Sequence, residues 1–446
     1  MNRRSRSRVM SLALAFVLLI GGLVMAAVWR LNFLDEAPLD EAMANAPPPP
    51  AELVARGAYL ARAGNCQGCH SALGGAAYAG GRGVPTPFGT VYAPNLTPDA
   101  ATGIGAWSAG AFWRALHNGR SRDGRLLYPT FPYPNYTRIT REDSDALHAF
   151  LRSLPAVAQT NKPHELRFPF DQQAALAVWR ALYFRPTPHV PDAARSAEWN
   201  RGAYLVEGLG HCNACHASRN ALGASVSTLD LAGGLIPVQN WYAPSLTSPT
   251  EAGVAAWKSQ HIVDLLKTGI AAPQGTLVSV AGPMSEVVIG STQHLSDADL
   301  RAMANYLKAL ASSAADERLA SSVETATATA ADVTPAPVDG PGAKLYARHC
   351  AACHGEKGEG VAGIYTALAG NRAVTLSTPA NLVHVVLEGG FAPATAGNPR
   401  PFGMPPFATE LSDEQLAQLL THIRGSWGNR TAAVSALEVG RYRSSR

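Results

Sequence analysis

Apolar residues run without a charged one from Val9 to Trp29, and beyond them the chain breaks into short hydrophobic clusters separated by turns. This run of 21 residues follows Arg3, Arg4, Arg6 and Arg8. It approaches the ~20 residues that carry a helix across a hydrocarbon layer. A cleaved leader has a shorter apolar core, about 7–15 residues, ending in small residues. Ala26 and Ala27 offer such a site, but the length favours a retained membrane anchor over residues 1–30. Arginines on the near side keep that end in the cytoplasm and send the rest of the chain outside. No second long apolar run appears, so one span is the limit.

After a stiff proline spacer, Pro47 to Pro50, the pattern repeats. Arg56-Gly-Ala-Tyr-Leu returns as Arg201-Gly-Ala-Tyr-Leu, with a degenerate copy, Gly342-Ala-Lys-Leu-Tyr. Tyr92-Ala-Pro-Asn-Leu-Thr returns as Tyr242-Ala-Pro-Ser-Leu-Thr, and Gly105-Ala-Trp107 as Ala255-Ala-Trp257. Each unit closes on an amphipathic stretch: Asp143 to Leu154, Ser296 to Leu310, and Ser412 to Ile423. Leu300, Met303, Leu307 and Leu310 fall at helical spacing, and Ser296 with Asp299 and Ser412 with Gln415 form capping-type starts. The periodicity predicts units over 51–157, 200–312 and 339–428. A proline-rich linker, 158–199, carries an apolar patch, Ala174 to Phe184, expected to pack on a neighbouring unit. Residues 313–338, rich in Ala, Thr and Ser, predict a flexible linker, and 429–446 a polar tail.

Composition adds two limits. A chain of 446 residues has room for roughly three ordinary domains, and 47% hydrophobic residues with 41 Gly and 32 Pro describe folded units with many turns. The net charge of +4 reflects the N-terminal arginines, and no basic groove with interleaved aromatics is present. A nucleic-acid partner is excluded on that ground.

All six cysteines lie in three copies of one pattern: Cys66-Gln-Gly-Cys69-His70, Cys212-Asn-Ala-Cys215-His216 and Cys350-Ala-Ala-Cys353-His354. Thiols three residues apart reach the two vinyl groups of a haem, and the adjacent histidine then faces the iron as proximal ligand. A zinc knuckle needs further ligands at paired spacing. A thioredoxin-like pair needs no trailing histidine. A disulfide across two residues closes too small a loop to stabilise much. The motif therefore predicts three covalently bound haem c groups and a mostly α fold: three tandem class-I-like cytochrome c domains behind one N-terminal transmembrane helix.

A methionine as sixth ligand marks an electron carrier, because the thioether favours ferrous iron and saturates the coordination. Met284, in Ala281-Gly-Pro-Met284, and Met404, in Gly403-Met404-Pro-Pro, lie between a cysteine motif and a closing helix, in what reads as loop. The first unit has no such methionine; its equivalent stretch is Leu127-Tyr-Pro-Thr-Phe131-Pro-Tyr133. His117, at a helix end, and His148, in the closing helix, are alternative ligands, and a five-coordinate iron is another. His211 and His349 read as surface or propionate-facing residues, and His384 as a helix-surface residue.

Asn95-Leu-Thr-Pro-Asp99, Thr102-Gly-Ile-Gly105, Phe184-Arg-Pro and Glu198-Trp-Asn-Arg-Gly202 carry a further signal. With them, the chain resembles the membrane-bound tri-haem cytochrome c subunit of periplasmic dehydrogenases, the family serving alcohol and gluconate dehydrogenases. The resemblance implies Cys66, Cys69, Cys212, Cys215, Cys350 and Cys353 as haem-bearing residues. It implies His70, His216 and His354 as proximal ligands, with Met284 and Met404 at the distal positions. The implied partners are a catalytic subunit of flavin, quinone-cofactor or molybdenum type, the bacterial inner membrane on its periplasmic side, and a quinone or terminal oxidase as acceptor. Phe131 stands where the alcohol-dehydrogenase type has methionine, and in this the chain resembles partners of molybdenum aldehyde or N-heterocycle oxidoreductases. The resemblance implies an electron carrier rather than a catalytic subunit. Two alternatives stay open: an electron-entry module of a terminal oxidase, and a multi-haem peroxidase or reductase working at the first haem.

Overall fold

The computed structural model of the chain describes residues 3–33, 48–225, 231–322 and 339–443. The apolar run is a single helix, α1 (Arg3–Phe33), and its stretch Leu12–Phe33 is long and apolar enough to cross a membrane. Among the described residues its base meets the rest of the chain, where Val28 and Phe33 pack on Leu126, Leu176 and Ala177.

The body begins with α2 (Ala51–Ala63), the short cysteine-bearing α3 (Cys66–His70), and a hairpin of β1 (Gly83–Thr86) and β2 (Gly89–Tyr92). There follow α4 (Ala109–Asn118), the single turn α5 (Tyr133–Tyr136) and the closing helix α6 (Arg141–Ser153). The proline-rich segment adds β3 (Glu165–Leu166), antiparallel to β2, and α7 (Gln173–Tyr183), which packs on α1.

The sequence then runs through similar elements. These are α8 (Ala197–Ala203), continued by a π-helical turn Tyr204–Leu209, and α9 (Asn213–His216). A short pair follows, β4 (Gly234–Leu235) with β5 (Tyr242–Ala243), then α10 (Ser259–Thr268). A second pair, β6 (Ile270–Ala271) with β7 (Val278–Ser279), precedes α11 (Pro283–Gly290) and α12 (Asp297–Ser322). The last set comprises α13 (Pro341–His349), α14 (Ala351–His354), α15 (Arg372–Thr375) and α16 (Ala380–Glu388). It ends with β8 (Gly390–Phe391) paired to β9 (Gly403–Met404), α17 (Asp413–Gly425) and α18 (Ala436–Arg443).

In each set the helix before the cysteine motif crosses the closing helix: α2 on α6, α8 on α12, α13 on α17. A glycine makes each crossing possible. A Cβ on Gly57 would lie 1.9 Å from the carbonyl oxygen of Ala146, one on Gly202 2.1 Å from that of Ala302, and one on Gly342 2.2 Å from that of Gln418. Any side chain there forces the helices apart.

The first two helix pairs share one apolar core, running from Leu60, Ile139 and Leu147 through Leu205 and Leu209 to Leu300 and Leu307. The third pair has its own core, around Tyr346, Leu416, Leu419 and Leu420. The repeated Arg-Gly-Ala-Tyr segments explain the fusion. Arg56 pairs with Asp143 of its own closing helix (2.7 Å), and Tyr204 of the second copy donates to the same carboxylate at 2.5 Å. Reciprocally, Arg201 pairs with Asp299 (2.8 Å), and Tyr59 of the first copy donates to it at 2.7 Å. The third set has Lys344 in place of the tyrosine and Gln415 in place of the aspartate, and Gln415 closes a capping box with Ser412 instead.

Three expectations change. The helix read as ending at Leu310 continues to Ser322, because Ala314, Ala315, Glu317, Arg318 and Leu319 are strong helix formers. Residues 323–338 of the expected linker lie outside the described residues. The polar tail folds back as α18, with Val439 fully buried and Arg443 bonded to Asp413 and to the carbonyls of Ala408 and Leu411. Finally, the apolar patch at α7 is only half covered: Leu176, Ala177, Arg180 and Phe184 are buried, whereas Val178 and Leu182 are exposed.

Candidate functional site

Each cysteine motif forms a turn of helix set off sharply from the helix before it. Asn65 and His211 make the first two corners in the left-handed region, at φ 47° and 36°, which is uncommon without glycine. Within the turn, the two thiols and the histidine come together three and four positions apart. All six cysteines are free of disulfides. Burial among apolar groups, reinforced by the neighbouring cysteine of each motif, pushes the Cys66 and Cys212 thiols up to about 12 and Cys350 to about 11. Reactive or metal-binding thiolates need the opposite environment. Among the described residues, no three Cys, His, Asp or Glu side chains gather to hold a metal ion as a cluster.

The histidines carry the most specific feature. His70 Nδ1 lies 2.8 Å from the Pro94 carbonyl oxygen, His216 Nδ1 2.7 Å from that of Pro244, and His354 Nδ1 2.9 Å from that of Thr366. In the tautomer that donates from Nδ1, Nε2 is left as the metal-facing nitrogen, and the carbonyl fixes the ring orientation and raises its basicity. The first two acceptors belong to the repeated Tyr-Ala-Pro segments, whose role the sequence does not reveal. Backbone carbonyls leave no side-chain signature; the repetition downstream of the first two motifs marks theirs, and nothing comparable marks Thr366.

Met284 borders the shared core with Cys66, Cys212 and Phe131. It sits in the first turn of α11 rather than in a loop, because Pro283 at the preceding position suits a helix start. The same helix packs on α3 of the first motif, and Glu286 pairs with Arg82 at 3.0 Å. Met404 lies in β9 beside the core that holds Cys350. Phe131 packs against Tyr136, whose hydroxyl is pushed well up by burial and then by the nearby Cys66 and Cys69. Cys66 and Cys212 border the same apolar core, so the first two motifs share one surrounding.

The other five histidines weighed above each pack against protein groups. His117 Nδ1 lies 2.7 Å from the Thr137 carbonyl oxygen, and its ring stacks on Trp113. His148 is buried against Phe112, and its Nε2 has no hydrogen-bond partner. His211 turns inward across the seam between the first two units, reaching Tyr136 and the Gly64 carbonyl. His349 lies by Phe407 and Glu410. His384 departs from its expected surface position: it is buried, stacked on Trp241 at 4.9 Å and edged by Tyr442. Docking of the third set onto the second covers it, helped by Asn381 bonded to the backbone of Tyr242.

Paired thiols without disulfides, a pre-oriented imidazole after each pair, and an apolar border around them fit covalent attachment of haem. Such an arrangement on mostly helical units defines a c-type cytochrome carrying haem c. A family model of cytochrome c matches residues 54–155 and 340–427. The alcohol dehydrogenase (quinone) cytochrome c subunit of Gluconacetobacter polyoxogenes is 38% identical over 413 residues, covering 90% of this chain and 86% of that protein. The gluconate 2-dehydrogenase cytochrome c subunit of Pantoea cypripedii is 37% identical over 404 residues, 88% of this chain and 89% of that one. A nicotinate dehydrogenase subunit of Pseudomonas putida is 38% identical over 425 residues, 95% of this chain but 34% of the longer relative. The chain belongs to the family of cytochrome c subunits of dehydrogenases, electron-transfer rather than catalytic subunits.

Proposed function

We propose that the chain holds three covalent haem c groups in three tandem domains and relays electrons from a periplasmic dehydrogenase catalytic subunit to membrane quinone or a terminal oxidase. The observation that carries this reading is the threefold recurrence of a cysteine-pair turn whose histidine Nδ1 meets a backbone carbonyl. Haem, when bound, supplies a one-electron ferric/ferrous couple. Cys66 with Cys69, Cys212 with Cys215, and Cys350 with Cys353 form the thioethers. His70, His216 and His354 ligate from Nε2. Met284 and Met404 supply sulfur to the second and third irons.

The shared core of the first two units, bordered by Cys66 and Cys212, supports a short step between the first two haems. Helix α1 anchors the relay on the periplasmic side of the inner membrane, where quinone and oxidases reside. The partner is a flavin, quinone-cofactor or molybdenum dehydrogenase. Phe131, together with the similarity to the nicotinate dehydrogenase relative, favours the molybdenum class.

The test is purification from native membranes in mild detergent, followed by intact-mass measurement and identification of co-purifying subunits and their extractable cofactor. Three haem additions, one of them lost in Cys350→Ala/Cys353→Ala, and a stoichiometric dehydrogenase subunit are expected. Two haem additions, or a chain that emerges alone, would overturn the count or the partnership respectively.

A further inference from the structure

Helix α7 is apolar on two faces, and among the described residues only one is covered. Its inner face, Leu176, Ala177 and Arg180, is buried. Its outer face presents Ala174, Val178 and Leu182, with Val178 47% and Leu182 63% exposed. Arg180 is its only charged residue, and it is turned inward: Nε donates to Asn32 Oδ1 at 2.8 Å and Nη2 to the Asn118 carbonyl at 2.7 Å. A helix apolar all round is unsuited to water on either side. Exposed apolar groups continue along the chain beside it: Phe168, at 81%, just before the helix and Tyr183 in its last turn.

What borders this face points to its occupant. The buried side of α7 is clamped to the base of α1, where Asn32 Nδ2 donates to the Ala177 carbonyl at 2.9 Å and Val28 and Phe33 pack on Leu176 and Ala177. These contacts occupy the last six residues of the Leu12–Phe33 span. At 1.5 Å per residue they lie within about 8 Å of its end, the depth at which interfacial helices rest in a bilayer. Exposed Arg167 and Arg185 flank the face, with Asp171 as the acidic neighbour at its start. Arg185 and Arg138 line a cleft of about 400 Å³ that opens beside Leu182 and Tyr183. Aromatic and basic residues bordering an apolar strip match the headgroup layer of an anionic bilayer.

We propose that the outer face of α7 is a second membrane contact, seated in the headgroup–acyl boundary of an anionic bilayer beside the span that α1 makes. The inference rests on the reading of α1 as a retained anchor. Two contacts fix the tilt of the body as well as its distance from the membrane, which a single helix does not.

The test places the full haem-loaded chain, without other subunits, in nanodiscs of anionic phosphatidylglycerol carrying a photoactivatable phospholipid. Lipid adducts are then mapped by mass spectrometry. Adducts on both α1 and the 168–184 peptide are expected. In Val178→Glu/Leu182→Glu those on the peptide should fall roughly tenfold while those on α1 and the haem content persist. Adducts on α1 with none on 168–184 overturn the second contact and leave the anchor standing. Absence from both overturns the anchor and the inference with it.

Discussion

The two reciprocal tyrosines offer a direct way to test whether the first two helix pairs fold as one body. Tyr204→Phe removes a hydroxyl that donates to Asp143 at 2.5 Å, with the tyrosine 6% and the carboxylate 2% exposed. Hydrogen bonds to a buried charge contribute about 1.5–3 kcal/mol, and little water can replace this one, so a loss near ~2 kcal/mol is expected. The Arg56 ion pair that remains is more than half exposed on the arginine side and compensates weakly. Tyr59→Phe removes the mirror-image bond to Asp299; Tyr59 is less buried, so ~1 kcal/mol is expected.

Both bonds cross between the first two units, so each loss must appear in the stability of both. For a cooperative body of this size, ~2 kcal/mol lowers the midpoint by roughly 4–8 °C. The assay is thermal unfolding of the full chain by far-UV circular dichroism, with limited proteolysis at each temperature showing which segment opens. Tyr204→Phe should lower one transition containing both 51–157 and 200–312. The transition of the third unit, which has its own core, should stay in place. Ser412→Ala, which removes the third unit's capping box, should do the reverse. If Tyr204→Phe loosens 200–312 while 51–157 opens at its original temperature, the shared-core argument fails.

Three further outcomes follow from single sites. Gly57→Ala puts a methyl 1.9 Å from the Ala146 carbonyl oxygen, so a cost of about 3 kcal/mol and a drop in haem-loaded yield are expected, measured by haem content per chain. Met404→Leu should lower one reduction potential and leave the others unmoved in a spectroelectrochemical titration, since loss of the thioether disfavours ferrous iron; no shift in any potential refutes the ligand assignment. His148 is held down to about 4 by burial first and by Arg152 second. Its folded value lies below its unfolded ~6.5, so its neutral form contributes stability above pH ~6.5 that is lost as pH falls toward 4, about 2 kcal/mol of it by pH 5. His148→Phe should flatten the denaturation midpoint over that window, and an unchanged slope would remove His148 as the cause.

The parts of this fold that were legible in the sequence are those whose signal is local. The apolar run of α1, the helical spacing of Leu300, Met303 and Leu307, the Ser412–Gln415 capping box and the three cysteine motifs each need only a short window to be read. What escaped depends on a partner distant in sequence. Tyr59 and Tyr204 look like internal features of one repeat, yet each serves the aspartate of the other copy. His384 reads as a surface group because its ring is polar, yet it is buried with Val383 and Leu387 of its own helix, where Trp241 and Tyr442 arrive from elsewhere to cover it. Helix α18 reads as polar because a single residue, Val439, is fully buried.

The second copy differs from the first by one residue at an informative place. Ten positions separate Arg56 from Cys66, and eleven separate Arg201 from Cys212. An added residue in an α-helix rotates everything after it by about 100°, which would swing the second motif away from its place beside the closing helix. Yet Gly202 crosses α12 much as Gly57 crosses α6, and His216 finds the Pro244 carbonyl as His70 finds that of Pro94. The extra residue is absorbed between those two fixed ends, in the π-helical turn Tyr204–Leu209. Such turns accommodate one residue without disturbing the helix on either side. The turn also opens at Tyr204 and holds Glu207, which accepts from Tyr306 and pairs with Arg138 of the first unit. The insertion therefore preserves the motif and its histidine contact while building part of the seam that joins the two units.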